Sequence, residues 1–230
     1  MKKILFIALL FVSQFIVAQD KVAVFDMDGT LISESPNYAL AEFAKEYSMN
    51  QIETIEDLVT ELTKLSESPK YNKYLKSFFK KNDIRVYPHM MDVVDSLKKE
   101  GYKLVICTGS EVRFAKEVNK RYFNNAFDVV IGSEFRAEKL KAKNININDK
   151  EGKVDNLKSQ GIMPTIVYGN SHGDFAMMKY AGNGVLVIHD DKENKEFDKP
   201  EEYIKECKQL GFKTLLISDW NLENEEAWKK

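Results

Sequence analysis

The chain is organised around the stretch Val22-Ala23-Val24-Phe25-Asp26-Met27-Asp28-Gly29-Thr30-Leu31. A short apolar run of this kind makes a buried parallel strand, and here it ends abruptly in two acids. On extended backbone Asp26 and Asp28 point to one side and Met27 to the other. Gly29 permits a sharp turn directly after them, and Thr30 supplies a hydroxyl behind it. Paired carboxylates at the carboxyl end of a parallel strand stand where open α/β sheets bind ligands. Two like charges that close are costly unless a cation or a shared proton relieves them. The pair therefore asks for a metal of the hard, oxygen-preferring kind. The plainer alternative is a capped turn after a strand, because Asp and Gly are ordinary turn residues.

From Tyr87 onward the pattern alternates between strand and helix. Pro88 opens a helix carrying Met90, Val93, Val94 and Leu97, closed by Gly101. The apolar strand Leu104-Val105-Ile106-Cys107 ends at Thr108, before Gly109-Ser110, and a helix with Val112, Ala115 and Val118 follows. Asp128 to Ile131 makes a further strand. Residues 132–150 form a Lys- and Asn-rich excursion, expected as a hairpin. Lys153 begins a helix that ends at Gly161, and Thr165 to Tyr168 is the next strand. Phe175 to Tyr180 is helical and Gly184 to Ile188 extended. A charged loop over 190–199 leads to a helix from Pro200 and a last strand near Thr214 to Ile217. Such alternation predicts a Rossmann-like parallel sheet with right-handed crossovers and helices on both faces.

Two segments stand apart from this core. Lys2 and Lys3, the apolar run Ile4 to Val17 and the small residue Ala18 read as a secretory signal peptide over residues 1–18. The run is shorter than the ~20 apolar residues of a spanning helix. For a bacterial source the destination is the periplasm or the exterior. The second segment, residues 33–85, shows only helical spacing. Ser35-Pro36 is a helix start, followed by Leu40, Phe43, Ala44 and Tyr47. Ile52, Ile55, Leu58, Val59, Leu62 and Leu65 mark a second helix, and Tyr71, Tyr74, Leu75, Phe78 and Phe79 a third. The aromatic stripes are expected to be packing, with one or two rings left for a pocket. The core then comprises residues 19–32 and 86–230.

Lys and Arg number 34 against 36 Asp and Glu, a net charge of -2, so nothing electrostatic points to a nucleic-acid partner. An oxidising compartment raises the question of a disulfide. Cys107 lies inside a strand and Cys207 on an apolar helix stripe, so both are expected as core residues without a bridge between them.

The string FDMDGTL resembles the first motif of the haloacid dehalogenase superfamily of phosphatases, and the three helices inserted straight after it look like the helical cap of the phosphoserine-phosphatase-like branch. Thr108 at its strand end resembles the second motif, and Lys153 at a helix start the third. Val167-Tyr168-Gly169-Asn170-Ser171-His172-Gly173-Asp174 is similar to the fourth, with Asn170 where most relatives carry an acid. Four motifs in the right order are specific where each alone is weak. The resemblance covers nearly all of the chain after residue 20, and it implies that residues 33–85 are a helical cap. It implies a Mg²⁺-dependent phosphomonoester hydrolase acting on a small molecule. In it Asp26 is the nucleophile, forming an aspartyl-phosphate. Asp28 protonates the leaving oxygen and then activates water. Thr108, the Gly109 N–H and Lys153 hold the phosphate oxygens. Asp26, the Asp28 carbonyl, Asn170 and Asp174 hold the metal. Asn170 removes one negative charge from that set, which implies weaker metal binding. A phosphotransferase or phosphomutase shares these motifs, and a phospho-ligand binding protein is the alternative of another class. Glu34 stands close to where phosphoserine-specific relatives keep a Glu that reads the substrate amine, with an offset from Asp26 one residue shorter. Arg113 is a candidate substrate contact or a solvated helix residue. His172 is expected to face solvent, and His89 and His189 to be surface or packing residues.

Overall fold

The computed structural model describes residues 21–34, 37–136, 147–189 and 200–217. The signal-peptide reading, Ser35-Pro36, residues 137–146 of the hairpin expected over 132–150 and the charged loop over 190–199 lie outside them. In chain order the elements are β1 (Val22–Phe25), α1 (Ala39–Tyr47), α2 (Ile55–Glu67), α3 (Tyr71–Lys81), α4 (Pro88–Lys99), β2 (Lys103–Glu111) and α5 (Val112–Tyr122). They continue with β3 (Val129–Ser133), α6 (Glu151–Ser159), β4 (Ile166–Gly169), α7 (Phe175–Ala181), β5 (Gly184–His189), α8 (Pro200–Gln209) and β6 (Lys213–Ile217).

The strands form one sheet in the order β3-β2-β1-β4-β5-β6, and every neighbouring pair is parallel. β1 lies between β2 and β4, with Phe25 opposite Ile106 on one side and Tyr168 on the other. The chain winds outward from β1 to β3, then returns to place β4 beside β1. This reversal opens a crevice at the carboxyl ends of β1 and β4.

Both faces of the sheet are covered, and for that reason β1 carries no polar residue. Ala23 and Phe25 belong to a cluster with Met90 and Val94 of α4 and Phe114 and Val118 of α5. Val22 and Val24 face the other way, among Leu157 of α6, Met177 and Met178 of α7 and Cys207 of α8. Phe25 stacks on Tyr168 with ring centroids 4.7 Å apart. Cys107 and Cys207 are both buried and free, as the sequence suggested.

Residues between β1 and α4 form three helices. The chain leaves and re-enters the core at one place, where Ser33 N–H donates to the Arg85 carbonyl (2.8 Å) and Tyr87 N–H to that of Leu31 (3.0 Å). α2 begins with a reciprocal cap between Thr54 and Asp57, so Ile52 of the predicted stripe falls ahead of the helix. α1 begins at Ala39, after Tyr38 and without a side-chain cap. Phe43 of α1 packs edge-on to Tyr71 and Phe78 of α3, and Phe79 lies 4.9 Å from Phe114 of α5. The aromatic stripes are thus packing, continuous with the core beneath.

A further difference concerns β2, which does not end at Thr108 but runs to Glu111. Its pairing with β3 passes from Cys107↔Ile131 to Glu111↔Ser133, so four steps on β2 oppose two on β3. Thr108, Gly109 and Ser110 form the bulge. An apolar-run criterion stops at the first hydroxyl and cannot see pairing that resumes beyond a bulge.

Candidate active site

The polar residues at the sheet's carboxyl edge are almost fully withdrawn from water. Asp26, Asp28, Thr108, Lys153, Asn170 and Asp174 are all buried. Lys153, near the start of α6, extends its ammonium between Asp26 Oδ1 at 2.5 Å and Asp174 Oδ1 at 2.6 Å. Burial alone would lower the Lys153 pKa, but the charges of Asp174 and Asp26 outweigh it and hold the ammonium above its ordinary value. Burial pushes the Asp26 carboxyl well above the carboxylate range; the Asp174 charge adds to this and Lys153 opposes it.

Asp28 sits on the bulge of β2. Its Oδ2 accepts from Ser110 Oγ at 2.7 Å and Thr108 Oγ1 at 3.3 Å. Burial raises its pKa, and these two hydroxyls partly hold it down. Asp28 Oδ1 is buried and has no hydrogen-bond partner. The bulge is braced from behind, where Ser133 Oγ donates to the Gly109 carbonyl (2.6 Å) and Asn148 Nδ2 to that of Thr108 (2.8 Å).

After β4, Asp174 Oδ2 accepts from the N–H groups of Asn170 and Ser171, each at 3.0 Å, and from Ser171 Oγ at 3.2 Å. Asp174 therefore pins both this turn and Lys153. Asn170 Oδ1 accepts from Thr30 Oγ1 at 3.2 Å, and its Nδ2 donates to Glu34 Oε1 at 3.1 Å. Gly29 has φ +77, and a side chain there would run into Asn170 and Glu34. Its carbonyl accepts from His189 Nε2 at 2.5 Å.

A cavity of about 280 Å³ has Asp26, Asp28, Thr108, Gly109 and Lys153 among its walls. Leu40 and Ala41 of α1 and Leu58, Val59 and Leu62 of α2 face them from the opposite side. Pocket rings from the predicted aromatic stripes are absent among the described lining residues, where Tyr38 and Phe135 supply the aromatic surface.

Sequence reasoning named Asp26, Asp28, Thr108, Gly109, Lys153, Asn170 and Asp174, and the fold brings all of them together. Arg113 lies elsewhere. Its guanidinium stacks 3.9 Å over the Tyr71 ring and pairs with Glu111. His172 is exposed beside Glu206, and His89 is exposed too. Ser110, Asn148 and the buried His189 were missed as site-shaping residues, since a lone polar residue carries no periodic signal. The buried thiol of Cys107, its pKa pushed up to about 11, is no nucleophile.

A hard divalent cation fits this donor set. Three buried carboxylates, Asp26, Asp28 and Asp174, face the single ammonium of Lys153, and one oxygen of Asp28 has no partner. Among the described residues no three His, Cys, Asp or Glu side chains form a cage by themselves. Mg²⁺ does not need one, because it takes one or two carboxylates, neutral oxygens and waters.

Residues 23–179 match the family model described as haloacid dehalogenase-like hydrolase. A protein with unknown function from Bordetella pertussis Tohama I is similar in fold, with a TM-score of 0.55, 13% identity, and 85% of this chain and 98% of that chain covered. A structure described as a predicted phosphatase from Clostridium acetobutylicum has a TM-score of 0.52 at 21% identity, covering 90% of this chain and 98% of that chain. CbbY from Rhodobacter sphaeroides, in complex with phosphate, has a TM-score of 0.49 at 15% identity, over 77% of this chain and 89% of that chain. For the Bordetella pertussis and Clostridium acetobutylicum proteins, at these identities, the shared property is the fold. No curated protein matches the chain.

Proposed function

The chain belongs to the haloacid dehalogenase-like hydrolases, and from that premise we propose that it is a Mg²⁺-dependent phosphomonoester hydrolase working through Asp26. The observation that carries this reading is the buried contact of Lys153 with Asp26 beside Asp28, all three lining one cavity. Asp26 attacks phosphorus, a P–O bond forms, and the bond to the leaving oxygen breaks. Asp28, whose carboxyl is shifted by burial toward its protonated form, gives its proton to that oxygen. It then takes a proton from the water that cleaves the aspartyl-phosphate. Lys153, Thr108 and the Gly109 N–H hold the phosphate oxygens. Asp26, the Asp28 carbonyl and Asn170 would hold Mg²⁺, which offsets the charge of phosphate against Asp26. Asp174, expected among the ligands, has its oxygens on Lys153 and on the N–H groups of Asn170 and Ser171 instead.

Residues 33–85 act as a cap in this reading. The aliphatic wall from α1 and α2 supports a substrate whose alcohol is largely apolar, since such a surface gains by covering hydrocarbon. The charged start, apolar run and small Ala18 support export, with a mature N-terminus at Gln19 to be seen by mass spectrometry.

Phosphate release from p-nitrophenyl phosphate and a panel of alkyl, nucleotide and sugar phosphates tests the activity. Chelation is expected to abolish it and Mg²⁺ to restore it. Activity that persists in excess chelator would remove the metal from the reading, and no release from any ester would remove the phosphatase.

A further inference from the structure

We propose that Glu34 is a positioning residue of the cation site, holding the Asn170 amide with its oxygen presented and supplying the negative charge an amide lacks. The proposal rests on the Mg²⁺ reading above and adds to it a group that the four motifs do not include. Glu34 and Asn170 are 2% and 3% exposed, and Asn170 Nδ2 donates to Glu34 Oε1 at 3.1 Å. Thr30 Oγ1 donates to Asn170 Oδ1 at 3.2 Å from the other side. An amide has one end that can bind a cation and one that cannot, and its orientation is set by its partners. A carboxylate accepts only, so Glu34 can take the NH₂ end alone, and the Thr30 hydroxyl suits the oxygen end.

Position supports the same role. Glu34 lines the cavity together with Asp26 and Asp28, and the partnerless Oδ1 of Asp28 belongs to the same site. Gly29, in the turn that carries Asp28, has room only for hydrogen against both Asn170 and Glu34. The pair is therefore packed directly against the turn that carries Asp28. A carboxylate behind a ligand polarises it and raises its basicity, as carboxylates do behind metal-bound histidines.

Calorimetric titration of the purified protein with MgCl₂, without substrate, tests the idea. Glu34→Gln keeps the shape and loses the charge, and Mg²⁺ affinity should fall roughly 10–100-fold. Adding Asn170→Asp to that variant returns the carboxylate to the ligand itself and should restore affinity to near the original. Asn170→Asp alone sets two carboxylates together, so in chelator it should melt below the unaltered protein. If Glu34→Gln does not fold, that melting measurement decides, and an unchanged melting temperature overturns the proposal. Unchanged Mg²⁺ affinity in Glu34→Gln with a raised KM also overturns it, and would make Glu34 a reader of the substrate. An unaltered protein that takes up no Mg²⁺ would overturn the metal reading, and this proposal with it.

Discussion

The ammonium of Lys153 lies 2.5 Å from Oδ1 of Asp26, although 127 residues separate them in the chain. One comes from the start of α6, the other from the end of the central strand. The contact keeps a buried carboxylate paired, and it places a cation where phosphate oxygens would gather around a nucleophile.

Removing that cation should show as a pH-dependent loss of stability. Lys153→Met leaves Asp26 buried beside Asp174 with no ammonium between them. Breaking one partner from a buried pair costs about 3–5 kcal/mol. Asp26 in the variant then has a folded pKa raised further above its unfolded value of 3.8. For an acid raised in this way the penalty is absent below the unfolded pKa, grows as pH rises, and is constant above the folded pKa. Denaturation in chelator should show the largest deficit against the unaltered protein at neutral pH and a smaller one near pH 5. A deficit independent of pH would mean that the pair is not electrostatically linked.

Ser110 tunes Asp28. Its hydroxyl bond at 2.7 Å favours the ionised carboxylate, opposing the effect of burial. In Ser110→Ala the Asp28 pKa should rise, because burial is then opposed by one hydrogen bond fewer to the ionised carboxylate. The proton-donating form then survives to higher pH, and the alkaline limb of the kcat/KM profile moves up with it. A limb that stays in place would take the proton-donor role away from Asp28.

Asp26 and Asp28 should fail differently. Asp26→Asn has no nucleophile and should form neither product nor covalent phosphate. Asp28→Asn should keep part of the first step on an aryl phosphate, whose leaving group is a stable anion, and fail on an alkyl one. Each acid–base role is worth roughly 10²–10⁴-fold. Phosphoenzyme should accumulate because water lacks its base, giving a burst in rapid quench. Equal loss on both substrates without trapped phosphate would show that Asp28 has another role.

Glu111 joins the inserted helices to the core, and it should matter more than Arg113. It accepts from the Tyr71 hydroxyl at 2.7 Å and caps α5 through the N–H groups of Arg113 and Phe114. Glu111→Ala uncaps the helix and leaves the buried Tyr71 hydroxyl without this partner, a cost of roughly 2–4 kcal/mol. Arg113→Ala loses its stacking on Tyr71 and a bond to the Ser66 carbonyl, about 1–2 kcal/mol. Urea denaturation of the two variants compares them, and equal losses would count against the capping account.

The apolar runs before Asp26, Thr108 and Asn170 were enough to bring three strands with their polar residues to one rim, although β2 resumes pairing beyond Thr108 and ends at Glu111. Parallel strands covered on both faces must be apolar throughout, and the reversal in strand order gathers the polar residues at their carboxyl ends. Lys153 was legible as the start of a helix, and the periodicity of α1 to α3 as helices with packed aromatic faces. Other features depended on distance across the fold. The Glu34–Asn170 bond joins residues 136 apart, and His189 reaches Gly29 across 160. Neither partner signals the other in the chain, because each pairing is decided by how β4 lies beside β1 and β5 beside β4, and where the turns between them pack. The bulge that aims Ser110 at Asp28 is likewise a matter of register with β3. Local residue types determined which strands end in chemistry, and only the tertiary packing decided which polar groups answer one another there, since a buried polar atom must find its partner wherever the fold places one.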